Sequence, residues 1–529
     1  MSIKIKASLG SKGAAEGTLA NLKMRTHVMK RRSTEWRHRL SSAIVSGVLW
    51  LLCPVAMPAV PQLGDLDGDN QVTVLDLVRI ANHVNRSQPL SDNLLLLADV
   101  NQDGFINDGD LRVVSNIILG FSAVPSLPLT TVRQLSPADG EANVAVTRET
   151  VFTLTFPLSE SSIPTRANLY AEFGGRKILS RIQPSSDRKT ITLFYTEPLP
   201  GSARMRVTFD PSGLKDIFGR ELDLDGNGVP GGVLESTFDT LSITPVSNTA
   251  IIGRVFASEL SASPGFAGTP VNKPLERVRV TVDGREQDLQ TFTDAEGNFK
   301  LSPVPAGRFF VHVDGRTAIG STWPGGAYYP VVGKAWEAIA GKEDNLAGGD
   351  GQIFLPLVRA NTLQTVSATE VTKITFPAEV LRDHPELTGV ELLVPPNNLL
   401  DENGARGGKL GIAPVPPDRL PQKLPPGLEF NIVFTVQSDG PQNFDQPVPV
   451  RFPNLADPKT GLKLAPGEKT ALWSFNHDLG EWEIVGPATV TADGNFIETD
   501  LGVGIRQPGW GGFNPGTQTT TSPVNPDDT

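Results

Sequence analysis

The sequence predicts a mainly β, multidomain protein with one small α domain close to its N-terminus. A chain of 529 residues has room for three or four domains, each long enough to bury its own core. Gly (52 residues) and Pro (44) are abundant, and aromatic residues make up only 7%, which favours short strands joined by many turns. Helical patterns are concentrated within residues 77–118, where each follows an acidic cluster.

The small domain begins with two acidic clusters. The first is GDLDGDNQVTVLD at residues 64–76, which contains no Lys or Arg. The second, ADVNQDGFINDGDL at residues 98–111, repeats the offsets of the first after a shift of 34 residues. Carboxylates this close repel one another unless a cation neutralises them. A solvated acidic turn would explain one such cluster, but the second copy favours a bound cation.

The repeated offsets are positions 1, 3, 5 and 12 of a calcium loop that leads into a helix. Position 7 binds through its backbone carbonyl, and position 6 turns sharply, which Gly104 allows freely and Asn70 tolerates. The absence of Cys and His from both clusters indicates calcium rather than zinc. The sequence predicts two calcium ions, the first loop binding more weakly. The predicted ligands are Asp65, Asp67, Asp69, Gln71 and Asp76, then Asp99, Asn101, Asp103, Phe105 and Asp110.

Each loop is followed by a short helical pattern with one apolar face, and no helix is expected before either loop. The apolar positions are Leu77, Ile80, Ala81 and Val84 after the first loop, and Val114, Ile117 and Ile118 after the second. These paired loop-helix motifs resemble the type I dockerin domain over residues 64–120. The resemblance implies a calcium-loop domain, predicted at 60–124, that docks to a cohesin-like protein module. In that family, docking mounts carbohydrate-degrading enzymes on a scaffold.

The same resemblance makes loop positions 10 and 11 the partner-binding pair. The pair is Ser-Thr-like in the family, whereas here it is Val74 and Leu75 in the first loop and Asp108 and Gly109 in the second. These four residues are the candidate partner-binding residues. The predicted partner is a cohesin-like module or another surface protein.

Residues 1–59 carry a basic segment and then an apolar one. MKRRSTEWRHR precedes LSSAIVSGVLWLLCPVAMPAV, with small residues near Ala56 and Ala59. This order predicts an export signal and a mature chain that begins after residue 52, secreted or at the cell surface. An uncleaved anchor helix is the alternative, because residues 40–60 are almost long enough to span a bilayer. Contact with a membrane is expected only through this segment.

The overall charge and the cysteine count narrow the class of protein. The formal net charge of −11 argues against nucleic acid as a partner, since phosphates would be repelled. Cys53 is the only cysteine, so no disulfide within the chain stabilises it.

A second module is predicted at residues 130–245, after the Pro125–Pro128 linker. SPADG, PLPGSARMRVTF and LKDIFGREL follow one another in an order that resembles the bacterial Ig-like modules of surface and S-layer proteins. The resemblance implies a β-sandwich used as a spacer or for adhesion. DLDGNG, with Asp223, Asp225 and Asn227, is open to two interpretations, a further calcium loop or a turn. The turn is favoured, because Leu234 stands where the closing carboxylate would be.

A third module is predicted at residues 248–358, with alternating strands on either side of the turn DAEG. TFTDAEGNFKLSPVPAGRFFVHVDG resembles the carboxypeptidase regulatory-like, prealbumin-type sandwich, whose relatives include starch-binding-like folds. That relation makes polysaccharide a possible ligand. The aromatic cluster either forms a binding platform or covers the edge of the sandwich. Its members are Trp323, Tyr328, Tyr329 and Trp336.

A fourth, strand-rich module is predicted at residues 361–512, followed by a disordered tail at 513–529. WSFNHDLGEWEIVG and VTADGNFIETDLGVGI resemble a module of large bacterial surface proteins, and this resemblance implies no activity. The first segment predicts a hairpin whose turn runs from His477 to Gly480. In such a turn, His477 and Asp478 are expected to bond to the backbone rather than to act in catalysis.

The sequence therefore predicts a secreted, calcium-binding modular protein and no enzyme. No nucleophile elbow, P-loop, H-E-x-x-H motif or dinucleotide fingerprint occurs. The calcium-loop domain is expected to dock to another protein, and the β-sandwich modules to act as spacers or adhesive units at the cell surface. The alternatives are a non-catalytic or truncated component of an extracellular polysaccharide-degrading complex and a carbohydrate-binding adhesin.

Overall fold

The computed structural model describes residues 62–513, apart from short gaps at 86, 264–265, 321–322, 347–351, 402, 422, 425–427, 429, 431, 441–442, 458–459 and 478. The predicted export signal, the alternative anchor helix and nearly all of the predicted tail lie outside the described residues. Strands make up 39% and helices 10%, which confirms the mainly β, multidomain prediction. Within the described part of the chain, no helix has both the length and the apolar character needed to cross a membrane.

The described residues of the predicted calcium-loop domain form three helices, α1 (Val74–Val84), α2 (Asp92–Ala98) and α3 (Asp108–Ile118). Helices α1 and α3 begin 34 residues apart, have the same length and contact each other. Their apolar faces form a small core around the fully buried Ile80 and Val114. The predicted loop-helix repeats are thus present. The expectation that no helix precedes either loop was wrong for the second loop, because α2 ends immediately before it and packs Leu97 and Ala98 into the same core.

The second module consists of two four-stranded antiparallel sheets around one hydrophobic core. The sheets have the strand orders β1-β2-β6-β5 and β4-β3-β7-β8. Phe152 and Phe209 meet edge to face in the core, with ring centroids 5.3 Å apart. The strands are β1 (Val132–Ser136), β2 (Thr150–Leu154), β3 (Leu169–Phe173), β4 (Arg176–Lys177), β5 (Ser180–Pro184), β6 (Thr190–Tyr195), β7 (Arg204–Phe209) and β8 (Leu234–Asp239).

The third module pairs a sheet built around the long strand β10 with the sheet β13-β12-β16-β18. Val278, Val280 and Val282 from one predicted strand, and Phe309 and Val311 from another, are all buried in the core between them. Its strands are β9 (Pro245–Val246), β10 (Ala250–Ser263), β11 (Phe266–Pro274), β12 (Arg279–Val282), β13 (Gln290–Phe292), β14 (Asn298–Leu301), β15 (Val304–Pro305), β16 (Gly307–Asp314), β17 (Ala327–Tyr328), β18 (Val331–Ala338), β19 (Glu343–Asn345), β20 (Gln352–Leu355) and β21 (Val358–Arg359).

The fourth module contains a ten-stranded sheet, β22-β26-β27-β33-β30-β31-β32-β29-β24-β23, and the short helix α4 (Ala378–Asp383). The predicted hairpin is present, since β30 and β31 pair antiparallel and place Phe475 opposite Trp482. The strands are β22 (Gln364–Thr365), β23 (Thr372–Thr375), β24 (Glu391–Val394), β25 (Leu399–Leu400), β26 (Lys409–Pro414), β27 (Ile432–Ser438), β28 (Asn443–Phe444), β29 (Val450–Pro453), β30 (Lys469–Asn476), β31 (Glu481–Val490), β32 (Phe496–Thr499) and β33 (Trp510–Phe513).

One hydrophobic cluster joins the third and fourth modules. Phe475 and Trp482 of the hairpin belong to the same buried cluster as the core of the third module. Three of the four residues of the predicted aromatic cluster face inward, because Tyr329 is fully buried and Trp323 and Trp336 pack against this core. The fourth, Tyr328, is half-buried and donates from its hydroxyl to the backbone oxygen of Ser438 at 3.4 Å. The structure therefore favours the edge-covering interpretation over an exposed binding platform.

Candidate functional site

The first acidic loop holds its carboxylates by backbone hydrogen bonds. The carboxylate of Asp65 accepts from the amides of Gly68 and Asn70, at 2.7 and 2.8 Å. Asp76, the closing residue, is fully buried and accepts from the amides of Leu66 and Thr73, both at 2.8 Å. These contacts hold the two carboxylates at the ends of the loop.

The second loop repeats three of these four contacts after the shift of 34 residues. Asp99 accepts from the amide of Gly104 at 2.9 Å, as Asp65 does from Asn70. Asp110 is fully buried and accepts from the amides of Val100 and Asn107, at 2.8 and 2.9 Å. The sequence repeat is therefore also a repeat of backbone geometry.

The predicted turn at position 6 occurs in both loops. Asn70 has φ +64° and Gly104 has φ +88°, the left-handed conformation that the prediction required. At position 7, the amides of Gln71 and Phe105 donate to Asp69 and Asp103, both at 2.8 Å, and the two side chains are exposed. A ligand from position 7 would therefore be a backbone carbonyl.

The carboxylates of the first loop converge on one point. One oxygen from each of Asp65, Asp67 and Asp76 lies within 4.8 Å of the others. Asp69 lies at the exposed side of the loop, where it accepts from the amide of Gln71. Three convergent oxygens without a nitrogen or sulfur donor suit a hard divalent cation such as calcium.

The environment of Asp99 in the second loop favours a bound cation. Burial and the nearby Asp110 raise the pKa of Asp99 to about 6. Asp99 Oδ1 is buried and accepts no hydrogen bond from any described residue. A desolvated carboxylate oxygen without a donor is a costly arrangement, which a bound cation would relieve. Asn101, which is also part of the second loop, donates from its side-chain Nδ2 to the carboxylate of Asp103 at 2.8 Å.

Two helix-capping residues that were not predicted from the sequence support the loops. Thr73 accepts from the amide of Leu75 at 3.2 Å, and its hydroxyl donates to Asp76 at 3.1 Å. Asn107 accepts from the amide of Gly109 at 2.6 Å. Each residue begins a capping box with the closing aspartate three positions later, a spacing visible in the sequence.

The candidate partner-binding residues differ between the two helices. Val74 is 57% exposed and Leu75 is 66% exposed, and Val78 continues this apolar surface one turn further along α1. The equivalent start of α3 presents Asp108 and Gly109. A side chain could not replace the glycine without movement, because its Cβ would lie 2.8 Å from Asn101 Nδ2.

The DLDGNG segment of the second module adopts the same local geometry as the acidic loops. Asp223 accepts from the amides of Asn227 and Gly228, at 3.1 and 2.8 Å. However, Leu234 begins strand β8 where a closing carboxylate would be needed. This agrees with the favoured interpretation as a turn.

The contact of His477 agrees with the expectation that it bonds to the backbone, since its Nδ1 lies 2.6 Å from the backbone oxygen of Gly333. Asp478 lies outside the described residues.

Two family models match parts of the chain. Residues 63–119 match the type I dockerin domain, and residues 128–240 match a bacterial Ig-like domain. Both resemblances are thereby confirmed for these segments. Type I dockerin domains generally bind calcium and typically bind cohesin modules, and both module types are non-catalytic. The chain is therefore modular and carries a domain of a protein-docking type. No curated protein matches it significantly.

Several solved structures are similar to the chain at low identity. The N-terminal part of the bacterial S-layer protein SbsC is 16% identical with a TM-score of 0.20, and the match covers 51% of this chain and 58% of that one. Native alpha-2-macroglobulin from Escherichia coli is 11% identical with a TM-score of 0.17, covering 71% and 91%. An L,D-transpeptidase from Mycobacterium smegmatis is 13% identical with a TM-score of 0.15, covering 39% and 76%. The chain thus spans less than two thirds of the S-layer structure.

Proposed function

We propose that the protein is a secreted or cell-surface modular protein that docks to another protein through a calcium-loaded domain. The single observation that carries the proposal is the repeated geometry of the two acidic loops, within a segment that matches the type I dockerin family. The β-rich modules that follow are proposed to act as spacer or adhesive units. Carbohydrate binding is not favoured, because Trp323, Tyr329 and Trp336 pack against the core of the third module.

Two calcium ions are proposed, one in each loop. Asp65, Asp67, Asp69 and Asp76, with the carbonyl of Gln71, would hold the first ion. Asp99, Asn101, Asp103 and Asp110, with the carbonyl of Phe105, would hold the second. The core of the domain is small, so the free energy of ion binding would supply much of its stability.

Calcium titration of the full chain by calorimetry tests the two sites. The wild-type protein should bind two ions. Combined replacement of Asp65 and Asp76 by Ala should abolish one site, and replacement of Asp99 and Asp110 should abolish the other. Asp139→Ala, which alters an exposed carboxylate of the second module, is the control and should retain both. Absence of calcium uptake by the wild-type protein would refute the proposal.

Docking is proposed to use the start of α1 rather than that of α3. The exposed side chains of Val74, Leu75 and Val78 form an apolar surface, whereas Asp108 and the crowded Gly109 do not. Burial of such a surface against a partner is favourable by roughly 25 cal/mol per Å² of apolar area. A cohesin-like module is the proposed partner, with another surface protein as the alternative.

Binding to immobilised cohesin modules, with calcium and with chelator, tests the docking proposal. The expected result is calcium-dependent binding that Val74→Asp with Leu75→Asp abolishes and Asp108→Ala retains. Both variants should still bind two calcium ions, which separates loss of docking from loss of the fold. Equal loss of binding in the Asp108 variant would refute the assignment to α1.

The second candidate function is a non-catalytic or truncated component of an extracellular polysaccharide-degrading complex. The dockerin match favours it, because domains of this type typically bind cohesin modules. Co-purification with a cohesin-bearing scaffold and hydrolases would support this role. A polysaccharide panel should show no turnover by the protein alone, and turnover abolished by one Asp or Glu substitution would contradict the non-enzymatic proposal.

A further inference from the structure

A second group of metal-ligating side chains lies far from the acidic loops in sequence, at Asp283, Glu286 and His312. One carboxylate oxygen from each acid and one ring nitrogen of the histidine lie within 4.8 Å of one another. The two acids follow β12, and the histidine lies on β16, which pairs antiparallel with β12. Thr281 is opposite His312 in that pairing, so the sheet brings the imidazole beside the turn that carries both acids.

Asp283 is the buried member of the group. Its side chain is 3% exposed, and its Oδ1 lies 3.0 Å from Nε2 of His312. The hydroxyl of Thr147, from the second module, also donates to this carboxylate at 2.9 Å. The 3.0 Å contact between Asp283 and His312 is a hydrogen bond between the two side chains. Tetrahedral ligands about 2.0–2.1 Å from a zinc ion lie roughly 3.3 Å apart, so both atoms could bind one ion with little movement of either side chain.

Glu286 and His312 form the open side of the group. Both are half-buried, and the carboxylate of Glu286 accepts from the amide of Gly284 at 2.8 Å. Within the described part of the chain, neither acid forms an ion pair with a lysine or arginine. Arg285, the nearest cation in sequence, instead pairs with Asp288 and donates to the backbone oxygen of Ile243 at 2.9 Å.

The types of ligand atom in this group favour one class of metal ion. One imidazole nitrogen with two carboxylates suits divalent first-row transition ions, whereas calcium prefers oxygen ligands only. Three protein ligands with a solvent-accessible side leave a coordination position for water. Like charge from the two acids also favours a bound cation at this point.

We propose that Asp283, Glu286 and His312 bind one divalent transition-metal ion of the zinc class, at the junction between the second and third modules. The junction is close-packed here: a Cβ on Gly284 would lie 2.4 Å from the side chain of Val146. An ion bound here would connect β16 to the turn that contacts the second module through Thr147. It would therefore stiffen the junction independently of calcium in the acidic loops.

Metal titration of the full chain, with calcium already saturating the acidic loops, tests the site. Zn²⁺ calorimetry should show one additional site, and Co²⁺ should give the visible absorption of a nitrogen-containing, low-coordinate site. His312→Gln should remove both signals, and Glu286→Gln should weaken zinc binding at least tenfold. Circular dichroism should show that both variants are folded.

Two control variants test whether zinc binds at this site rather than at another histidine or in the acidic loops. His384→Gln removes an exposed histidine whose Nδ1 lies 3.1 Å from a carboxylate oxygen of Glu386, and it should leave zinc binding unchanged. Replacement of Asp65 and Asp76 by Ala should also leave it unchanged. Equal zinc binding by the wild-type and His312→Gln proteins would overturn the proposal, as would no zinc uptake by the wild type. If His312→Gln does not fold, the half-exposed Glu286 variant decides the result.

Discussion

Arg133, on the first strand of the second module, donates a hydrogen bond from Nη2 to the backbone oxygen of Asp103 in the second acidic loop, at 3.4 Å. Its guanidinium also occupies the space beside Gly104, where a Cβ would lie 2.4 Å from Nη2. A permanent positive charge therefore lies beside the proposed second calcium site. The Ig-like module thus contributes to the electrostatics of a loop in the neighbouring domain.

Arg133→Ala should strengthen calcium binding at the second loop. Repulsion between the exposed guanidinium and a calcium ion in the loop is worth about 0.5–1 kcal/mol. Its removal corresponds to a two- to fivefold gain in calcium affinity at low salt. High salt should remove the gain. Calorimetry on the full chain measures it, and Arg181→Ala, which alters an arginine that contacts Asn403, is the control. Unchanged affinity at low salt would contradict the prediction.

Thr73→Ala should weaken calcium binding at the first loop. The threonine caps α1 and donates to the closing Asp76, so its loss should cost about 1 kcal/mol, or roughly fivefold in affinity. Ser91→Ala is the matched control, because Ser91 precedes α2 without a side-chain cap bond. Calorimetry should show one weakened site in the first variant and two unchanged sites in the second.

Gly297→Ala should destabilise the third module strongly. Gly297 has φ +82°, and a Cβ there would lie 2.5 Å from the backbone oxygen of Val255, which cannot move away as a flexible side chain could. Gly307→Ala is the control in the same module, since Gly307 has φ +76° with open space around its Cβ position. Both variants bear the left-handed strain of about 1–2 kcal/mol. Denaturation followed by tryptophan fluorescence should show an additional loss of about 2 kcal/mol in Gly297→Ala only.

Lys334 should make stability depend on pH in the alkaline range. Burial lowers the pKa of this lysine from 10.5 to about 8, and its ammonium lies 4.2 Å from the ring centre of Trp336. Between pH 8 and 10.5 the unfolded chain holds a proton that the folded chain has released, so stability should rise with pH across this window. The full effect is of order 3 kcal/mol.

Lys334→Met isolates this contribution from the other alkaline titrations. The difference in unfolding free energy between the wild-type protein and the variant should change by about 3 kcal/mol between pH 8 and 10.5. Lys342→Met, which alters a lysine on an exposed turn, should leave the wild-type slope intact. Parallel pH profiles for the wild-type and Lys334→Met proteins would contradict the prediction.

Local features of this protein were predictable from the sequence. The structure contains the predicted offsets of the acidic residues and the left-handed turns at Asn70 and Gly104. It also contains the apolar faces of α1 and α3 and the hairpin of β30 and β31. Each depends on contacts between residues about a dozen positions apart or fewer. At that range, backbone sterics, side-chain periodicity and capping restrict the chain to few conformations.

Features that depend on distant residues were decided only by the tertiary structure. Helix α2 has no distinct sequence signal, and its last residues are held by burial against α1 and α3. Tyr329 could have been exposed or buried until the sheet packing placed it in a core shared by two modules. Asp283 meets His312 across 29 residues and Thr147 across 136. Such contacts follow from strand pairing and module packing, which a local pattern does not specify because many pairings satisfy the same alternation of apolar and polar residues.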